Sequence, residues 1–153
     1  VLITSLSKTV SAGVRLGWIV ASPSVLARID PYAQSAHWGV SPLCLAIACQ
    51  WISDGTAQAR LQWQTAEVTR RWRLARKLLG PAMDPADAPS PHIWVTLAGG
   101  AEGCRAVGVE VVPADVFAVK STPSHAVRIS LTAAASAQVL KVALQRIACL
   151  QHP

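Results

Sequence analysis

Val1-Leu2-Ile3-Thr4-Ser5-Leu6-Ser7-Lys8, followed by Arg15-Leu16-Gly17-Trp18, is the stretch on which the reading of this chain turns. Val1–Thr4 is short, apolar and β-branched, the pattern of a buried strand that delivers Ser5–Lys8 at its C-terminal end. Ser11-Ala12-Gly13 reads as a turn, and Val14–Ala21 as a second apolar strand stopped by Ser22-Pro23. Strands joined by so short a connection are antiparallel neighbours, because parallel ones need a crossover. Such a hairpin carries an amine, two hydroxyls and a guanidinium close together in sequence.

Helices follow. Ser24 can cap a helix running through Leu26 and Ile29, which Pro31 should kink or end. Pro42 suits the first turn of an apolar helix over Leu43–Ser53, with Gly55 as its stop. Thr56 opens the longest helix, in which Leu61, Thr65, Val68, Trp72, Ala75 and Leu79 recur at spacings of three and four. That spacing predicts one buried stripe, with Arg60, Arg70, Arg71, Arg73 and Lys77 largely off it. Gly80–Pro91 is a proline-rich loop. His92–Leu97, Gly108–Val112 and Val127–Leu131 read as short strands. Ser136 or a nearby residue caps a closing helix whose Val139, Val142, Ala143, Ile147 and Leu150 are expected to face a core.

Composition narrows the class. The chain has 153 residues, enough for one sizeable core. It is 52% hydrophobic and only 14% charged, with a net charge of +6. Its best apolar run, Leu43–Ile52, is broken by Gln50 and falls well short of a membrane span. Beginning at Val1 with neither methionine nor signal pattern, the chain reads as a fragment whose excess apolar surface is covered elsewhere. Cys44, Cys49, Cys104 and Cys149 show no CxxC pair, so reduced thiols and no metal site are expected. The basic run Arg70–Lys77 reads as a solvated helix face rather than a nucleic-acid surface.

The chemistry-bearing residues suit one cofactor. Pyridoxal phosphate needs an amine to condense with its aldehyde, and hydroxyls with a guanidinium to hold its phosphate dianion. Lys8 offers the amine; burial at a strand end, with Arg15 nearby, would favour its free-base form. Arg15, with its rigid donor fork, is the phosphate candidate, and Ser5 and Ser7 add neutral donors. Arg128 lies inside the otherwise apolar Ala126–Leu131 and needs a partner if buried. A bound carboxylate is one candidate, and internal pairing with Asp115 or Glu110 is the other.

Ser5–Trp18 resembles the lysine segment of fold-type-I pyridoxal-phosphate enzymes, the aminotransferase superfamily. The resemblance runs along nearly the whole chain. Trp38–Leu79, with Trp51-Ile52-Ser53-Asp54-Gly55 and the arginine-rich helix, is similar to the domain-linking region of MocR-type members of the GntR regulators. These join a winged-helix DNA-binding domain to an aminotransferase-like domain. His92-Ile93-Trp94-Val95, Gly108–Pro113 and Ala126–Leu131 look like its small-domain strands. Two departures stand out: Ala12 replaces a usual proline, and Ala98–Val107 is a shortened connection.

The resemblance implies an α/β chain: a fragment of the aspartate aminotransferase-like fold, with two large-domain strands over residues 1–28. Linking helices and an α+β small domain would occupy residues 29–153. It implies Lys8 as the aldimine lysine, Ser5, Ser7 and Arg15 as phosphate contacts, and Arg128 as the binder of a substrate α-carboxylate. The ligand would be an amino acid or keto acid. The expected setting is cytoplasmic, the parent a homodimer, and DNA contact the task of an N-terminal domain outside this chain. The function expected is that of an effector domain in a MocR-type regulator, with a true aminotransferase as the alternative. A small non-catalytic binding module is a third. Acting alone, the chain is expected to be inactive, because the aspartate, stacking aromatic and glycine-rich loop of the family's site are not in it.

Overall fold

The computed structural model describes residues 1–29, 39–84, 88–119 and 124–151. Two compact units divide the chain between Thr65 and Ala66. The expected action of Pro31 and the resemblance at Trp38 fall outside the described residues.

The first unit begins with the anticipated hairpin. Strand β1 (Leu2–Ser5) pairs antiparallel with β2 (Gly17–Val20), with Ser5 opposite Gly17 and Leu2 opposite Val20. Between them Leu6 N–H donates to Leu16 O at 3.0 Å, and the Leu6 carbonyl accepts from Val10 and Ser11, winding the segment into a tight turn. A 3-10 turn over Ala12–Val14 follows, its Ser11 Oγ accepting from Gly13 N–H. The second strand is thus shorter than Val14–Ala21, because Val14 is drawn into the turn and buried beside Leu6 and Ala48.

The strands are not buried. Val1, Leu2 and Ile3 are 81%, 59% and 73% exposed, and all four residues of β2 are exposed. Apolar, β-branched composition marks a strand that can be buried, and the described residues cover it only in part: Leu26 and Ile29 line one cleft beside it, Ile52 and Leu61 another. Helix α1 (Pro23–Leu26) starts from Ser22, two residues earlier than Ser24 suggested, because Pro23 takes the first helical position. Helix α2 (Pro42–Ser53) ends before Gly55, whose φ of +83° suits a residue without Cβ. It is apolar around its circumference, yet only Ala48 is buried.

Helix α3 (Thr56–Leu79) is the longest element, as its periodicity indicates. Its stripe is buried only at Val68, Ala75 and Leu79, with Trp72 half-buried; Leu61 and Thr65 are exposed. Helical spacing identifies one face of the whole helix, but the core of the second unit lies under its C-terminal half alone.

That core is built on a three-stranded antiparallel sheet in the order β3 (His92–Thr96), β5 (Ala126–Ser130), β4 (Val112–Pro113). Ile93, Val95, Val127 and Ile129 point inward, onto Ala75, Leu79, Cys104, Leu140, Leu144 and Ile147. Helix α4 (Gly100–Ala106) fills the shortened connection and ends at Gly108, φ +74°. This stop explains why the strand expected over Gly108–Val112 is reduced to Val112–Pro113: its first residues leave the helix rather than pair. Helix α5 (Ala137–Ala148) is capped by Ser136 Oγ, which accepts from Val139 N–H at 3.2 Å. It buries Leu140, Leu144 and Ile147, whereas Val139 and Val142 are exposed. The helix has two apolar stripes, and the leucine-bearing one wins the core because it removes more apolar surface from water.

Candidate functional site

Each unit contributes its own set of donors. In the first, Lys8 sits in the turn Leu6–Val10, which the Val10 N–H to Leu6 O bond of 2.9 Å closes. Ser5 ends β1 opposite Gly17, and a Cβ at Gly17 would lie 2.9 Å from Thr4 O and 3.2 Å from Ser5 Cβ. Glycine there lets the strands close directly behind Ser5. Thr9 Oγ1 donates to the Ser5 carbonyl at 3.3 Å and ties the turn back to the strand end.

Arg15 does not start the second strand, as expected, but precedes it in a left-handed conformation, φ 51° and ψ 34°. Among the described residues it is the one non-glycine residue with positive φ. Such a conformation costs an L-residue about 1 kcal/mol or more and is often retained at binding sites. It lines a cleft with Val14, Gly39, Val40, Ser41 and Cys44.

Lys8 and Arg15 are exposed, and Ser5 and Ser7 half-buried. The burial expected to desolvate Lys8 is therefore not supplied by the described residues, for the same reason that β1 is exposed. None of the four side chains spends a hydrogen bond or ion pair on another described residue. A free amine and two hydroxyls at the end of β1, with an uncommitted guanidinium just before β2, are the donor types that a phosphorylated aldehyde takes.

In the second unit, Arg128 occupies the middle of the central strand β5, opposite Trp94 on β3 and Val112 on β4. Its neighbours Val127 and Ile129 face the core, so Arg128 projects from the other face of the sheet, half-buried. Neither acidic candidate pairs with it. Glu110 is taken by Arg105 at 3.1 Å, and Asp115 makes no ion pair among the described residues. The Arg128 guanidinium instead lies over the Phe117 ring, 4.3 Å from its centroid, and Phe117 meets Trp94 edge to face at 5.5 Å and 88°. Phe117 carried no signal in sequence; an isolated aromatic among alanines and valines reveals its role only through the 3-10 turn Ala114–Phe117 that aims it.

Along α3, Arg70, Arg73, Arg76 and Lys77 form a solvated face. Arg71 departs from it, half-buried and bonded to Glu67 and to two backbone carbonyls. Upstream, the exposed Trp63 carries Arg60 at 4.1 Å. All four cysteines are free thiols; burial pushes the Cys104 thiol above its ordinary value. Among the described residues no group of three or more histidine, cysteine or acidic side chains could hold a metal. Nor is any described helix long and apolar enough to cross a membrane.

This hairpin, long helix and three-stranded sheet define the class: the chain has an aminotransferase fold. It superimposes with a TM-score of 0.79 on the multiple substrate aminotransferase of Thermococcus profundus, at 21% identity, covering 97% of this chain and 40% of that one. Kynurenine aminotransferase of Pyrococcus horikoshii and LysN, the α-aminoadipate aminotransferase of Thermus thermophilus, match with the same TM-score at 19% identity. They cover 97% of this chain and 39% and 41% of theirs. The sequence relatives are of another kind, HTH-type transcriptional regulators. YdfD of Bacillus subtilis is 34% identical over 77 residues, half of this chain and 16% of that protein. YisV of the same organism is 33% identical over 95 residues, 59% of this chain and 20% of that protein. Both are described as uncharacterized. No protein-family model matches the chain. The fold class and the kinship with HTH-type regulators expected from sequence are thus both met.

Proposed function

We propose that this chain is part of a pyridoxal-phosphate-binding effector domain of a MocR-type transcriptional regulator. The observation that carries the reading is that the side chains of Ser5, Ser7, Lys8 and Arg15 are uncommitted among the described residues, while backbone bonds and Thr9 close the turn that follows β1. In this proposal the Lys8 amine attaches the cofactor, Arg15 grips its phosphate with two parallel N–H donors, and the Ser5 and Ser7 hydroxyls take the remaining oxygens. When bound, the cofactor supplies an aldehyde carbon for an amino group and a ring that draws electrons from it. Arg128 holds the α-carboxylate of an amino-acid-like ligand, and the lack of an acidic partner among the described residues supports this role.

In the regulator, occupancy by that ligand biases the position of a DNA-binding domain elsewhere in the parent protein, and turnover is incidental. A homodimeric, cytoplasmic parent accords with that task. The second reading, amino transfer between an amino acid and a keto acid, is favoured by the likeness to three aminotransferases, which extends over 97% of the chain.

An absorbance titration with pyridoxal phosphate, run beside Lys8→Ala, tests the cofactor assignment. A saturable visible band that Lys8→Ala lacks, and that borohydride removes from the wild type, is the expected result. Equal, non-saturating signals from both proteins would end the cofactor reading for this chain. In the parent protein, DNA affinity that responds to an amino acid without product formation separates sensing from transfer.

A further inference from the structure

We propose that Phe117, braced by Trp94, is a positioning residue for Arg128. The inference rests on the carboxylate-binding role proposed for Arg128 and extends it to how that guanidinium is kept ready.

A guanidinium on a half-buried sheet face needs compensation for lost water. An acidic neighbour would supply it by engaging the N–H fork, and would then compete with any incoming carboxylate. A ring supplies it differently. The aromatic face attracts the cation through its quadrupole and leaves the in-plane N–H donors unused. Phe117 does this at 4.3 Å, and among the described residues no side chain or carbonyl accepts a hydrogen bond from Arg128.

The ring is itself fixed. The 3-10 turn Ala114–Phe117 follows directly from β4, whose Val112 is paired with Arg128, so turn and arginine share one register. On the opposite side of β5, Trp94 is the cross-strand partner of Arg128 and meets the Phe117 ring edge to face. Arg128, Trp94 and Phe117 therefore close a three-membered set in which each touches or pairs with the other two. Leucine at 117 would preserve apolar volume and abolish the quadrupole; tyrosine would preserve the ring.

The test uses this full chain, labelled so that the Arg128 Nε–Hε resonance can be followed by NMR, with propionate as the carboxylate probe. The wild-type Hε signal is expected upfield, under the ring current of Phe117, and to move saturably with propionate. Phe117→Leu should return the signal downfield and weaken propionate roughly two- to fivefold, the range expected for a partly exposed cation–π contact. Phe117→Tyr should restore both. A resonance and affinity unchanged by Phe117→Leu would overturn the positioning role. A wild-type resonance that ignores propionate would strike the carboxylate reading itself, and the inference with it, whatever Phe117→Leu does to the shift. Phe117 is 45% exposed, so its replacement leaves the core intact.

Discussion

Arg71 reaches the backbone carbonyl of Leu131, sixty positions further along the chain, at 2.9 Å. The same nitrogen donates to Ala134 O at 3.0 Å, while Nε bonds Glu67 Oε1 at 2.6 Å. One side chain thereby joins α3 to the segment between β5 and α5. Arg71→Met should destabilise the chain by about 2–4 kcal/mol, because it strands carbonyls that accept from a charged donor. Arg70→Met should cost under about 0.5 kcal/mol, since that arginine is a solvent-screened partner of the same carboxylate, with its side chain 64% exposed. Chemical denaturation of the two variants checks the contrast.

Glu67 gives the pair a pH signature. Its carboxyl is held below the ordinary value of 4.5, first by the hydrogen bond from Arg71 and then by that from Arg70. A folded-state value below the unfolded one contributes stability that is fully present above the unfolded value. It is lost as pH falls through the folded value. The stability gap between wild type and Glu67→Gln should therefore be constant near neutrality and shrink on acidification below about 4.5. A gap that stays constant through that range would show that the carboxylate is not the titrating partner.

Arg15 makes an opposite kind of prediction. Its left-handed backbone is strained for any residue with a Cβ, and its side chain stabilises nothing among the described residues. Arg15→Gly should raise stability by about 1 kcal/mol. If Arg15 grips phosphate, the same change should weaken pyridoxal phosphate in the absorbance titration. Gain of stability with loss of affinity would mark the strain as held for binding.

At Gly17 the constraint is steric. Gly17→Ala would press a methyl group against Thr4 O and Ser5 Cβ. Backbone atoms on a paired strand cannot swing aside, so the hairpin should open or shift at a cost of roughly 1–3 kcal/mol. Faster amide exchange at Leu6, whose N–H bonds Leu16 O, is the local readout.

These residues also show what sequence can reveal. The hairpin, α3 and the Ser136 cap were legible because each depends on neighbours in the chain: period, turn chemistry and a hydroxyl placed three residues before the N–H it accepts. The buried face of α5 was not, because two apolar stripes compete on one helix and only the sheet decides between Leu140 and Val139. Exposure of Leu2 and Ile3 was hidden for a related reason, since apolar spelling says nothing about whether a covering layer is present. At Arg128, sequence could name two acidic partners and not the ring that took their place. Phe117 and Arg71 matter through contacts that no local pattern encodes.

Helix α3 is wrapped in solvent along its first turns and anchored in a core only from Val68 onward. Cutting the chain between Thr56 and Thr65 would first require those helical turns to unwind, which their lack of core packing makes less costly than unwinding beyond Val68. Cleavage there leaves Glu67, Arg71 and the sheet with its packing complete, which makes the second unit a candidate for excision as a minimal scaffold carrying Arg128.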